Sequence, residues 1–198
     1  MSEKPEEVRS VALTDALLLE RWREGRNEAF EEIFVRHYAA VYRTLLRLLG
    51  TAGDAEDAAQ EVFLRLYRRP LPPGREHNLP AWLIRVATHL GYNVIREQAR
   101  RQRRQETWEK ERSAGVPNPE SEALRAETQA EVRQILAQLP RKQAQILFLR
   151  HQGYSYEELA RIMGVKLSSV GTLLARAERA FAARYAEHTP RASEARGM

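Results

Sequence analysis

Hydrophobic positions along this chain recur in steps of three and four, while period-two alternation is weak, so the pattern predicts helices throughout. Phe30, Ile33, Phe34, Tyr38, Val41, Tyr42, Leu45, Leu46 and Leu49 fall on one face of a long helix, which Gly50 and Gly53 end. Asp54 then stands as an N-cap, with Asp57 three residues on in a variant of the capping box. The next stripe is Ala55, Ala58, Ala59, Val62, Phe63, Leu66 and Tyr67, stopped before Pro70 because the prolines at 70, 72 and 73 cannot continue a helix. A further helix starts near Pro80, with Leu83, Val86, Ala87, Leu90 and Val94 inward, and runs into an arginine-rich stretch ending near Arg104.

Residues 105–125 are polar, lack an apolar stripe and contain Gly115, Pro117 and Pro119, the composition of a linker. Beyond it, Val132, Ile135, Leu136 and Leu139 form one stripe, Pro140 restarts the chain, and Ala144, Ile146, Leu147 and Leu149 form another that Gly153 ends. Ser155 and Glu158 make a capping box for a short helix through Met163, Gly164 turns the chain, and a last helix runs from about Ser168 to Tyr185. The expected architecture is therefore all-α, with helical domains over 12–104 and 126–186, a linker over 105–125 and a polar tail over 187–198.

Composition narrows the function. With 43% hydrophobic residues the chain can build packed cores, and no apolar run approaches the roughly 20 residues of a membrane helix. The acidic and basic residues near the start do not suit a signal peptide, and cysteine is absent, so thiolate metal sites and disulfides are excluded. Among the five histidines none pairs at metal-ligand spacing, and neither a phosphate loop nor a nucleophile elbow occurs. The expectation is a cytoplasmic protein that is not an enzyme, with no metal, cofactor, membrane or small-molecule substrate. The net charge of +5 is compatible with a polyanionic partner without demanding one.

Three surfaces are candidates for binding. From Tyr156 to Arg176, Ala160 is small where two helices would cross, Gly164 tolerates positive φ in the turn, and Val170 locks the crossing, with Leu159, Met163, Val165 and Leu174 as remaining core. This is the physical requirement of a helix-turn-helix. Its second helix would present Lys166, Ser168, Ser169 and Thr172 to base edges, with Arg176 and Arg179 toward the phosphates. Gly171 and Leu173 on the expected outward face leave it weakly basic, so the module should bind DNA feebly alone. On the helix after Pro80, Arg85, Thr88, His89, Tyr92, Asn93 and Arg96, followed by Arg100, interleave an aromatic with arginines, which suits either single-stranded nucleic acid or a partly exposed tyrosine among ordinary surface arginines; the arginine run that follows favours the first. On the helix after Gly53, Asp57, Gln60, Glu61 and Arg65 surround Leu64, which suits either a solvated face or a protein contact with an apolar centre.

Both blocks resemble one family, the extracytoplasmic-function group of sigma-70 factors. Asp54 to Leu64 looks like region 2.2, Ala81 through Arg96 looks like regions 2.3 and 2.4, and Leu139-Pro140 with Gly153 to Ala160 and the following helix looks like region 4. The resemblance implies that Asp57, Gln60, Glu61, Leu64 and Arg65 meet the β′ clamp helices of core RNA polymerase. It implies that Arg85 through Arg100 read the −10 element, with unpaired bases captured beside the loop from Arg75 to Leu79. It also implies that the start of the last helix reads −35 promoter DNA while region 4 docks on the β flap. An anti-sigma factor is a further possible partner. His89 and Asn93 depart from the Asn and Asp common there, and the short linker replaces a region 3 domain. A dimeric regulator that binds an operator without polymerase, with an N-terminal sensing domain, stays open as an alternative.

Overall fold

The computed structural model describes residues 13–71, 78–109 and 121–188, the side chains of 105–109, 121–127 and 188 excepted. Among the described residues there are eight α-helices and no strand. Four make the first bundle, α1 (Asp15–Arg23), α2 (Asn27–Leu49), α3 (Ala52–Arg68) and α4 (Leu79–Glu109). Four make the second, α5 (Ser121–Gln138), α6 (Arg141–His151), α7 (Tyr156–Met163) and α8 (Leu167–His188).

The apolar stripes assemble largely as their spacing predicts. Ile33, Val41 and Leu45 of α2 pack on Ala59, Val62 and Leu66 of α3 and on Leu83 and Ala87 of α4. Gly91 is required where α4 meets α2, since a Cβ there would lie 2.7 Å from Leu48 Cδ2. Tyr67, expected inside, is 55% exposed; one side of its ring lies on Trp22 and Phe30, with centroids 5.8 and 5.3 Å away. Helix α1 has no counterpart in the predicted elements, yet Leu18, Leu19 and Trp22 are core, and Thr14 caps it by accepting from the Leu17 amide.

The start of α3 differs from expectation. Gly53 and Asp54 lie in the first turn, and Thr51 is the N-cap residue. Thr51 makes no capping bond to the backbone; its hydroxyl donates to Asp54 Oδ2 at 2.6 Å, and the carboxylate at the helix start suits the macrodipole. Asn78 opens α4 by accepting from the Ala81 amide at 2.9 Å, which puts Pro80 in the first turn. Both ends of the expected linker are helical, since α4 continues to Glu109 and α5 begins at Ser121. Gln, Glu and Arg are good helix formers, and a polar extension of a packed helix needs no stripe of its own.

The two bundles pack against each other. One core cluster runs from Leu18 and Val62 through Leu83 and Ile84 to Ile146, Leu159 and Val170. Helix α4 is the shared element, touching α2 and α3 on one side and α5, α6 and α7 on the other. That second packing explains why its buried surface is wider than the single stripe predicted: Ile84, Tyr92 and Ile95 are also buried.

Candidate nucleic-acid interface

The α7–α8 hairpin has the geometry that its sequence requires. Ser155 Oγ accepts from the Glu158 amide at 3.3 Å, and Glu158 Oε2 accepts from the Ser155 amide at 2.8 Å, a complete capping box. Those bonds, first the one from the Ser155 backbone, hold the Glu158 carboxyl below its ordinary range. Gly164 sits at φ +64° in the left-handed region, and its amide closes α7 on the Ala160 carbonyl. Val170, Leu159 and Leu174 are buried at the crossing, joined by Ile162, a core residue the motif reading missed. Lys166, Ser168, Ser169, Thr172, Arg176 and Arg179 are all exposed around the start and outer side of α8. Leu173, expected outward, packs half-buried against the core instead.

The α4 residues divide. Asn93, Arg96 and Arg100 are exposed, and Arg100 shares Glu97 with Arg101, at 2.8 and 3.2 Å. The Arg101 hydrogen bond and the Arg100 charge hold the Glu97 carboxyl below its usual range. Thr88 and Tyr92, expected on the outer polar side, are only 1% and 2% exposed, and His89 is half-buried. The second bundle covers them. Tyr92 Oη donates toward the Leu136 and Leu139 carbonyls, at 2.8 Å for Leu139, and burial pushes its phenol up to about 12. Gln145 Nε2 donates to Thr88 Oγ1 at 3.3 Å. Arg85 donates to the Ile162 and Arg161 carbonyls at the end of α7, its guanidinium lying against Gly164.

Sequence reasoning missed the partners in the second bundle. Besides Gln145, Arg47 Nη1 donates to Gln152 Oε1 at 2.7 Å, and Gln134 to Gln102 Oε1 at 3.1 Å. Arg141 reaches the His89 carbonyl at 3.4 Å. Burial and the nearby Arg65 charge lower the Arg141 pKa, and its Nε is buried without a hydrogen-bond partner. One signal was available: α6 carries Ala144, Ile146, Leu147, Phe148 and Leu149 in one run, and a helix apolar on most sides is buried on most sides.

On α3, Asp57, Gln60, Leu64 and Arg65 are exposed and Glu61 is half-exposed, bonded to Arg65 Nε at 2.8 Å. Leu64 is 44% exposed in the middle of this face. The loop assigned to base capture lies mostly outside the described residues; of its described part, Leu79 is a core side chain. Among the described residues no cluster of ligating side chains suits a metal ion, and no helix is long and apolar enough to cross a membrane.

Comparison with known proteins agrees with this arrangement. The Sigma-70 region 2 family matches residues 33–104, and the Sigma-70 region 4 family matches residues 129–181. The ECF RNA polymerase sigma-E factor of Escherichia coli is 31% identical over 180 residues, covering 86% of this chain and 94% of its own length. The RNA polymerase sigma-H factor of Pseudomonas aeruginosa is 27% identical over 175 residues, covering 84% and 91%. The ECF sigma factor SigE of Mycolicibacterium smegmatis is 30% identical over 165 residues, covering 81% of this chain and 63% of the longer relative. Among solved structures, CnrH in complex with the cytosolic domain of CnrY has the same fold, with a TM-score of 0.55 at 19% identity, over 85% of this chain and 95% of that one. Matches to both bundles in their order along the chain, and near-full-length similarity to sigma-E, make this protein a member of the ECF group of sigma-70 factors, the RNA polymerase sigma factors.

Proposed function

We propose that this sigma factor binds core RNA polymerase through the outer face of α3, reads the −35 element with the start of α8, and reads the −10 element with α4. The observation that carries the reading is the exposed start of α8, where Lys166, Ser168, Ser169 and Thr172 stand clear of a locked helix-turn-helix. Arg176 and Arg179 lie one and two turns on, where phosphate contacts belong. On α3, an exposed leucine ringed by Asp57, Gln60, Glu61 and Arg65 suits a protein partner, assigned here to the β′ clamp helices; region 4 docks on the β flap.

The mechanism assigns the chain no covalent step. Base contacts on this chain add free energy that the polymerase lacks, and Arg85, Thr88, His89, Tyr92, Asn93, Arg96 and Arg100 hold unpaired −10 bases. Unstacking costs a few kcal/mol per base, and stacking and hydrogen bonds offset it. In this reading Arg85, Thr88 and Tyr92 serve only after the second bundle leaves α4, and the closed arrangement is a resting state. The partly buried, incompletely bonded Arg141 beside Arg65 supports a reversible closure. Work beside the polymerase implies the cytoplasm. CnrH is bound to CnrY in its solved complex, and an anti-sigma partner for this chain is part of the proposal.

Run-off transcription with purified core polymerase tests the reading. The factor should convert core into promoter-specific initiation, and Asp57→Lys with Glu61→Lys should weaken core capture while helicity holds. Unchanged capture by that folded variant would reject the α3 assignment. Tight operator binding by the free chain as a dimer would favour a regulator instead.

A further inference from the structure

Where the two bundles meet, α2, α5, α6 and α8 line an open-sided cavity of about 770 Å³, away from the α3 face and the start of α8. Its size falls in the range of small-molecule sites, roughly 300–1,000 Å³, and interfaces between domains are where such sites collect. The floor is apolar, made by Val132, Leu136, Leu147 and Phe181 among others. The ionisable groups among the described lining residues are all basic: Arg47, Arg133 and His151, with no carboxylate.

Arg133 is the unusual member. It is half-buried, burial lowers its pKa, and it has no hydrogen-bond or ion-pair partner among the described residues. Its guanidinium lies over the bare backbone of Gly50, where an added Cβ would come within 2.7 Å of Nη1. A partly desolvated cation without a partner is costly, and a bound anion would supply charge-assisted hydrogen bonds. Arg47 stands on the opposite bundle and uses Nη1 on Gln152.

We infer that this cavity binds a single-chain amphiphilic anion, a carboxylate or phosphate head held between Arg133 and Arg47 with its acyl tail on the apolar floor. Because the head bridges the two bundles, the ligand favours the closed form over the open one and holds the factor inactive by linkage. Only this last step rests on the function proposed above; binding itself does not.

The test is calorimetric titration of the free full chain with dodecanoate below its micelle concentration. Dodecyl phosphate, dodecyl maltoside and acetate are run beside it. Saturable binding of about one dodecanoate or dodecyl phosphate per chain is expected, with neither dodecyl maltoside nor acetate binding comparably. Tighter binding of dodecanoate assigns a fatty acid, and tighter binding of dodecyl phosphate a phosphate-headed lipid. Arg133→Met should weaken binding about tenfold or more, the scale of a lost charge-assisted bond. Val132→Phe, which fills the floor, should weaken it too, while Arg43→Met on the outside of α2 should not. Helicity is checked for each variant. Equal affinity for dodecyl maltoside, no saturable binding of either anion, or wild-type affinity in both folded cavity variants would overturn the inference. In run-off transcription the bound anion should lower initiation by wild type and not by Arg133→Met. If binding is seen without that inhibition, the regulatory step fails and the site stands.

Discussion

The two surfaces proposed above to face DNA are in opposite conditions. The start of α8 has every candidate residue exposed, whereas α4 has Thr88 and Tyr92 buried and Arg85 spent on the end of α7. A surface meant for duplex DNA can stay uncovered, because polar side chains such as Ser168 and Thr172 lose nothing in water. A surface meant for unstacked bases needs apolar and aromatic area, and that area is attractive to the rest of the protein. Tyr92 illustrates this: its ring suits a base, and here it is sealed under α5 with its hydroxyl on two carbonyls.

The largest effect on this contrast is expected from Tyr92→Phe combined with Arg85→Ala. Tyr92→Phe alone leaves the Leu136 and Leu139 carbonyls without that donor, costing about 1–3 kcal/mol of closure. Fluorophores on the outer ends of α3 and α8 should move apart, and hydrogen exchange should rise along α4. An unchanged separation in the double variant would mean that apolar packing alone holds the bundles. A pH titration sharpens the same point. The buried phenol favours its protonated form, so the Tyr92 contribution is intact below pH 10 and is lost as pH rises through about 12. That loss should be absent in Tyr92→Phe.

On the open surface, Arg176→Ala should weaken −35 binding of the holoenzyme by about 1–3 kcal/mol if the guanidinium meets a base, and less if it meets only phosphate. The separation of the bundles should not change. The smallest effect belongs to Ser155→Ala, which removes the capping hydroxyl and should lower stability by about 1 kcal/mol, read in thermal melts.

The same division governs what could be read from the sequence. Features set by a few neighbouring residues were legible: the Ser155–Glu158 capping box, the Gly164 turn, the α2 stripe and the Val170 lock. Helix α1 was not, because Leu17, Leu18 and Leu19 run consecutively and show no period. The α3 start was misplaced by three residues, because Asp54 has a capping residue's chemistry while Thr51 holds the position. The full width of the α4 core escaped because half of it is supplied by α5, α6 and α7, which are far away in the chain. For the α3 and α8 faces, the sequence identified side chains that the fold leaves in solvent. For α4 it could not say that the second bundle covers Thr88 and Tyr92 while Asn93, Arg96 and Arg100 stay in solvent.

Under the proposed opening of the two bundles, the hydrogen bonds from Tyr92, Gln145 and Arg85 would also act as a set-point. If only a fraction of molecules is open at any moment, the apparent affinity for polymerase is reduced by that fraction, tenfold for each ~1.4 kcal/mol of closure. Substitutions at Gln145 or Leu136, distant from any promoter base, would then alter how well this factor competes with its rivals for a limited supply of polymerase, without altering which promoters it selects.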